Sequence, residues 1–244
     1  MRVSVLMLAY NEHELIGPCL RQIPKWIDQI LVLASKRPWL GSDSSDAPKT
    51  LEVVRGMKDD RIRLLSLDWR TEHDQRNWGM GYLHDQDWVV VLDADEFYTS
   101  EGWERLKQDM EDAPKTSGVI RCGEMHTYWK TTDYRWEPSD GHRPVVAIKP
   151  SMATFCDKRE VPIDILQKVS EGLTMYHLSW VKSDASVLSK IQNWMHAKDF
   201  DAQKWYREKW LKWEPSMEDI RPYGVERSRA VYDPVPAGIS AYFQ

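Results

Sequence analysis

Four short runs rich in Val, Ile and Leu recur before residue 93: Val3 to Leu8, Ile30 to Leu33, Ile62 to Leu67 and Trp88 to Leu92. Each is brief and almost wholly apolar, the pattern of a strand buried on both faces. Between them lie stretches that read as helices: Glu12 to Leu20, Thr50 to Met57 with Thr50 as its cap, and Glu72 to Leu83. Parallel neighbours need crossover connections, and helices at this spacing supply them. The expected fold class is therefore α/β, a mainly parallel sheet flanked by helices.

The alternation stops near residue 112. Gly102 to Met110 reads as one more helix, but Gly118 to Lys130 and Arg143 to Lys149 read as strands joined by the polar loop "TTDYRWEPSDGH". That implies a mixed extension of the sheet. Ser183 or Asp184 then caps a helix with an apolar face of Val187, Leu188, Ile191, Trp194 and Met195. The chain after Trp213 reads as an irregular cover. The organisation expected is a first half over 1–112, a mixed half over 113–182 and a C-terminal helical extension over 183–244, within one compact domain.

Lys+Arg 33 against Asp+Glu 38 gives a formal net charge of -5, which argues against a non-specific nucleic-acid coat. Charged residues make up 29%, and mean hydropathy is -0.59. No apolar run approaches the roughly 20 residues of a membrane span. "MRVSVLMLAYNE" reads as a first strand rather than a signal peptide. Cys19, Cys122 and Cys156 are odd in number and far apart, which suits a reducing compartment and excludes a disulfide framework or a cysteine-rich zinc site. A cytoplasmic location is the expectation. The 13 Trp read first as core aromatics, with sugar or base stacking as the alternative.

"DWVVVLDADEFYT" places Asp93, Asp95 and Glu96 directly behind the fourth apolar run. Ligands of open parallel sheets bind beyond the carboxyl ends of the strands, where these carboxylates lie. Extended backbone sends residues 93 and 95 to the same side. Two such carboxylates can hold Mg²⁺ or Mn²⁺, hard ions that share their shell with phosphates. A solvated acidic turn is the alternative.

"VSVLMLAYNE", "QRNWG" at Gln75 to Gly79, and "DWVVVLDADE" follow in this order and spacing. Together they resemble the family 2 glycosyltransferases of the Rossmann-like GT-A fold, over about the first 100 residues. The resemblance implies a donor site for a nucleotide-sugar, a UDP-sugar by family habit. Ala9, Tyr10, Asn11 and Glu12 would line the nucleotide pocket, Arg76 and Asn77 would lie near the sugar-phosphate, and Asp93 and Ala94 would border the donor. Asp93 and Asp95 would hold the Mn²⁺ or Mg²⁺. His177, in "TMYHLSWV", would be a third metal ligand. One departure concerns the acids this family carries after its second strand: here Ser35 and Lys36 stand in that place, with Asp43 or Asp46 as displaced counterparts.

The resemblance further implies a metal-dependent hexosyl transfer to an acceptor hydroxyl with inversion, which needs a base. The loop before Arg143 looks like that of the lipopolysaccharide-core glucosyltransferase-like branch, making Asp140 the first candidate, with Asp133, Glu137 and Glu124 behind it. The acceptor is left open between a saccharide, a glycoconjugate and a hydroxylated nucleic-acid base. His196 reads as a packing or acceptor contact. "WYREKWLKWEP" reads as a helix seated by its aromatic face, or as an acceptor wall. A sugar-phosphate nucleotidyltransferase would need a Gly-rich basic loop after the first strand, which "LAYNEHELIG" does not provide. A non-catalytic nucleotide-sugar-binding module is the remaining rival.

Overall fold

The computed structural model describes residues 1–39, 47–139, 141–193, 199–222 and 227–243. The four apolar runs form strands β1 (Val3–Ala9), β2 (Gln29–Ser35), β3 (Ile62–Leu67) and β4 (Trp88–Val91), all parallel, in the order β3-β2-β1-β4. Alternation along β1 divides the core: Val3, Val5 and Met7 enter one apolar cluster, Leu6 and Leu8 another. Helices α1 (Ile16–Arg21) and α2 (Ala47–Gly56) cover the first through Ile16, Leu20 and Val54; α3 (Glu72–Tyr82) covers the second through Met80. Both faces are dry, so each fully buried Val or Leu contributes about 1.5–3 kcal/mol.

Helix α3 lies unusually close to the sheet. A Cβ at Gly79 would stand 2.4 Å from a Leu6 methyl, so any larger residue here would have to displace the Leu6 side chain. The approach carries Arg76, one turn earlier, to the end of β4. Thr71 caps α3 by accepting from the Asp74 amide at 3.1 Å.

Beyond β4 the sheet becomes mixed, as expected. Strand β5 (Glu96–Phe97) and helix α4 (Ser100–Glu111) lead to β6 (Val119–Trp129), β7 (Tyr134–Glu137), β8 (Val145–Ile148) and β9 (Gln167–Trp180). β8 lies antiparallel between β4 and β6, while β9 runs parallel to β6 and antiparallel to β5. The β5–β9 pairing sets Glu96 opposite His177.

Helix α5 (Asp184–Asn193) follows, with the Ser183 hydroxyl accepting from the Ser186 amide as its cap. A short α6 (Ala202–Trp205) runs into a π-helical turn, Tyr206–Trp210. A third core cluster gathers Trp129, Trp136, Trp180, Trp205 and Trp210, with Trp129 and Trp210 ring centroids 4.8 Å apart at a steep angle. "WYREKWLKWEP" is thus seated on the domain by its aromatic face, through Trp205 and Trp210.

Three sequence expectations change. The helix expected from Thr50 begins at Ala47, and Thr50 is buried inside it, where its hydroxyl accepts from the Glu12 amide at 2.9 Å. The loop "TTDYRWEPSDGH" contains β7, whose Tyr134 and Trp136 both pack in the aromatic cluster. The tail is not wholly irregular: β10 (Arg229–Tyr232) pairs with β7. Trp194, Met195 and His196 lie outside the described residues.

Candidate active site

A cavity of about 590 Å³ opens at the carboxyl ends of β1 and β4. Ala9, Tyr10, Asn11 and Glu12 line one side, directly after β1. Asn11 takes a positive φ of 55°, a left-handed turn that Asn tolerates better than most residues. Trp39 also borders the cavity, its indole N–H donating to Gln75 Oε1 at 2.9 Å while the Gln75 amide donates to the Leu33 carbonyl. The opposite wall comes from the mixed half: Met125, Thr127, Trp136, His177 and Trp180.

The acidic turn occupies the floor. Asp93 accepts from Arg76 Nη2 at 3.0 Å through each carboxylate oxygen, and from Arg159 Nη1 at 3.4 Å. Arg159 also binds Glu96 and donates to the carbonyls of Val91 and Val145. Glu96 Oε2 in turn accepts from the Asp93 amide at 3.0 Å. Both guanidiniums are buried. Burial raises the Glu96 pKa, and the Arg159 charge opposes that rise.

Asp95 lives in a different setting. Its Oδ1 lies 3.6 Å from His177 Nε2, and its Oδ2 lies 3.8 Å from both Lys182 Nζ and Lys190 Nζ. Burial would raise the Asp95 pKa, but His177, Lys182 and Lys190 outweigh it and hold the carboxyl well below its ordinary range. Lys182 is bound by both Glu12 oxygens at 2.6 Å. Burial and the neighbouring Lys182 push the Lys190 ammonium down to about 8.

The structure therefore brings Ala9, Tyr10, Asn11, Glu12, Arg76, Asp93, Ala94, Asp95 and His177 to one cavity. Asn77 is not among the lining residues. Its side chain turns away and brackets Phe155, donating to the Phe155 carbonyl and accepting from its amide, both at 2.8 Å. Asp133 and Glu137 are also absent from the described lining. Asp133 sits in the β6–β7 turn, its carbonyl accepting from the Asp233 amide, and Glu137 pairs with Arg135 and Arg229. Glu124 points to solvent beside His126. Asp140, Asp43 and Asp46 lie outside the described residues.

Sequence reasoning missed Trp39, Arg159, Lys182, Lys190 and the cavity faces of Trp136 and Trp180. One signal was available. Ser186, Ser189, Lys190 and Asn193 form a polar stripe at helical spacing on α5, opposed to Val187 and Ile191, and all four line the cavity.

Whether these residues suit a divalent ion turns on Asp95 and His177. Among the described residues no group of three His, Cys, Asp or Glu side chains forms a cage. Asp93 faces guanidiniums instead. Yet an ion bonded at about 2.1 Å to each ligand fits between atoms 3.6 Å apart. An oxygen plus an imidazole is a donor set that Mn²⁺ accepts, with remaining positions open to phosphate oxygens.

Residues 4–161 match Glycosyl transferase family 2, so the chain belongs to that family, and its fold is of the GT-A type. A TPR repeat-containing protein of Synechococcus elongatus is 29% identical over 111 residues, which is 45% of this chain and 24% of that protein. The chain thus spans about a quarter of that relative's length. Among solved structures, a mannosyltransferase of Pyrobaculum calidifontis in complex with GDP-Man and Mn²⁺ is similar in fold, with a TM-score of 0.50 at 15% identity. That similarity covers 79% of this chain and 61% of the other. A glucosyl-3-phosphoglycerate synthase of Mycobacterium tuberculosis, solved with Mn²⁺, UDP and phosphoglyceric acid, gives a TM-score of 0.46 at 13% identity, over 72% of this chain and 70% of that one. Among the described residues no helix is long and apolar enough to cross a membrane.

Proposed function

We propose that the chain is a metal-dependent glycosyltransferase that moves a hexosyl group from a nucleotide-sugar, a UDP-sugar first among donors, to an acceptor hydroxyl with inversion. The observation that carries this reading is Asp95 opposite His177 in a cavity whose other wall is the Ala9–Glu12 segment. Carboxylate and imidazole hold the Mn²⁺ or Mg²⁺, which supplies charge neutralisation at the departing diphosphate when bound. Arg76 and Arg159 fix Asp93 at the donor side. Ala9 to Glu12 and Trp39 receive the nucleoside, Trp39 by stacking.

The division of labour follows the organisation expected from sequence. Residues 1–112 carry the donor side, and 113–182 the acceptor side, where Trp136 and Trp180 offer a surface for a sugar ring. Residues 183–244 close the cavity with α5. The base is Asp140, three residues before Arg143 in the sequence. A saccharide or glycoconjugate is the acceptor class. The P. calidifontis enzyme's complex with GDP-Man and Mn²⁺ supports the donor and metal classes.

Calorimetric titration with UDP-, GDP-, dTDP- and CMP-sugars, with and without Mn²⁺, tests the reading. Metal-dependent binding of one donor, lost in Asp95→Ala, is expected. No binding to any of them by folded protein would overturn it. Asp140→Asn should abolish transfer while preserving donor binding.

A further inference from the structure

Four cationic side chains surround the acidic turn, and three of them have a carboxylate within hydrogen-bond distance. Arg76 is held by Glu72 at 2.8 Å and Asp93 at 3.0 Å. Arg159 is bound to Glu96. Lys182 is spent on both oxygens of Glu12. Among the described residues Lys190 alone of these four lacks such a partner. The Asp95 carboxylate, 3.8 Å away, is too distant for a hydrogen bond. Its ammonium donates to the Ser179 carbonyl at 3.2 Å and rests 5.3 Å from the centroid of the Trp180 ring. An ammonium has three donors, so two remain. The ring contact fixes the charge in place without using a donor.

Ser186, Ser189 and Asn193 accompany Lys190 on the cavity face of α5. Across the cavity stands the segment proposed to receive the nucleoside. An anion lying between that segment and α5 would pass over Asp95 and meet Lys190.

We propose that Lys190 is a diphosphate clamp: its ammonium grips the nucleoside diphosphate of the donor directly, in addition to the metal bound at Asp95 and His177. The proposal rests on the nucleotide-sugar reading and adds to it a contact made by the protein itself. Lys182 keeps Glu12 and Asp95 in place beside the clamp. A charge-assisted hydrogen bond to phosphate distinguishes a diphosphate from a monophosphate without any metal present.

The test is calorimetry in EDTA with UDP, UMP, GDP, GMP and pyrophosphate, using the wild-type chain, Lys190→Gln and Lys190→Arg, with melting curves to verify folding. The wild type should prefer the diphosphate to the monophosphate. Lys190→Gln should weaken diphosphate binding at least tenfold while leaving the monophosphate unchanged, and Lys190→Arg should retain most of the preference. If Lys190→Gln keeps the full preference in EDTA and weakens binding only when Mn²⁺ is added, Lys190 merely steadies Asp95 and the clamp is overturned. Nucleotide binding that ignores Lys190 would likewise overturn the clamp and leave the donor reading standing. Pyrophosphate binding that depends on Lys190, without binding of any nucleotide, would overturn the clamp as a nucleoside-diphosphate contact and leave an inorganic-anion site in its place. No binding of pyrophosphate or of any nucleotide by folded protein in EDTA would overturn the clamp; the donor reading falls with it only if no nucleotide binds with Mn²⁺ either.

Discussion

The two ends of the acidic turn face opposite demands. At one end Asp93 and Glu96 are bound by Arg76 and Arg159, two buried guanidiniums, of which Arg159 also donates to backbone carbonyls. At the other end Asp95 has an imidazole and two ammoniums near it, all beyond hydrogen-bond range. The carboxylates lie two residues apart, so the difference comes from what other elements deliver to each. A saturated charge is a structural device. A charge surrounded at 3.6 to 3.8 Å, on the wall of a cavity, retains capacity for something else.

That contrast can be broken at either end. The largest effect is expected at the open end: Asp95→Asn should lower transfer with Mn²⁺ on the order of a hundredfold or more, since several kcal/mol of charge stabilisation are lost. Because the surrounding cations hold the Asp95 carboxyl low, the melting temperature should fall too; turnover per folded molecule, measured beside thermal unfolding, is the check. At the saturated end the cost falls on the fold. Arg159→Met strands Glu96 in an apolar setting and should cost about 3–5 kcal/mol in denaturant unfolding. Arg159→Met with Glu96→Gln should recover part of that loss; an unchanged midpoint in the single variant would dissolve the distinction.

Asn77→Ala comes next. It removes the bracket on Phe155 and should cost about 1–3 kcal/mol of stability. Donor affinity should stay the same, because Asn77 faces away from the cavity. A changed donor KM with an unchanged midpoint would return Asn77 to the donor site.

The smallest effect concerns the same arginine–carboxylate chemistry far from the cavity. Hydrogen bonds from the Arg61 side chain hold Asp59 down to about 2. Because the folded pKa is depressed, the unfolded chain binds more protons between about 2 and the ordinary carboxylate value. The stability contributed by this pair is therefore fully present above about pH 4 and disappears as pH falls through about 2. Asp59→Asn should lower stability in the neutral region and flatten the acid limb, so that the two unfolding curves converge as pH falls through about 2.

What could be read from sequence follows the same division. The parallel half was legible because its strands are local apolar runs and its crossovers are local helices. "LAYNE" and "DADE" were legible as turns at the carboxyl ends of strands, where the cavity opens, because each directly follows such a strand. Arg159 and Lys182 were not, since a single basic residue in a polar stretch carries no periodic signal; Lys190 showed only as part of the polar stripe of α5. They reach Asp93 and Asp95 through long-range strand pairing and through α5. The β7 strand hid inside a loop of polar composition, although Tyr134 and Trp136 alternate with Arg135 and Glu137 as strand residues do. Asn77 is absent from the lining for a plainer reason. It adjoins Arg76, but neighbours on a helix diverge by about 100°, so only one of them could face the turn.

Strand β9 is a ruler. Over Gln167–Trp180 it carries His177 toward Asp95 and Trp180 toward the aromatic cluster, then hands the chain to Lys182. A slip of one residue against β5 would exchange the faces of all its side chains together. Two register breaks against β6 take up extra residues of β9: opposite Cys122 to Glu124 the strand runs from Ser170 to Thr174, and opposite Thr127 to Trp129 from His177 to Trp180. The second break sets the spacing from the imidazole to the Lys182 ammonium, so a residue deleted there would draw one of the two away from Asp95.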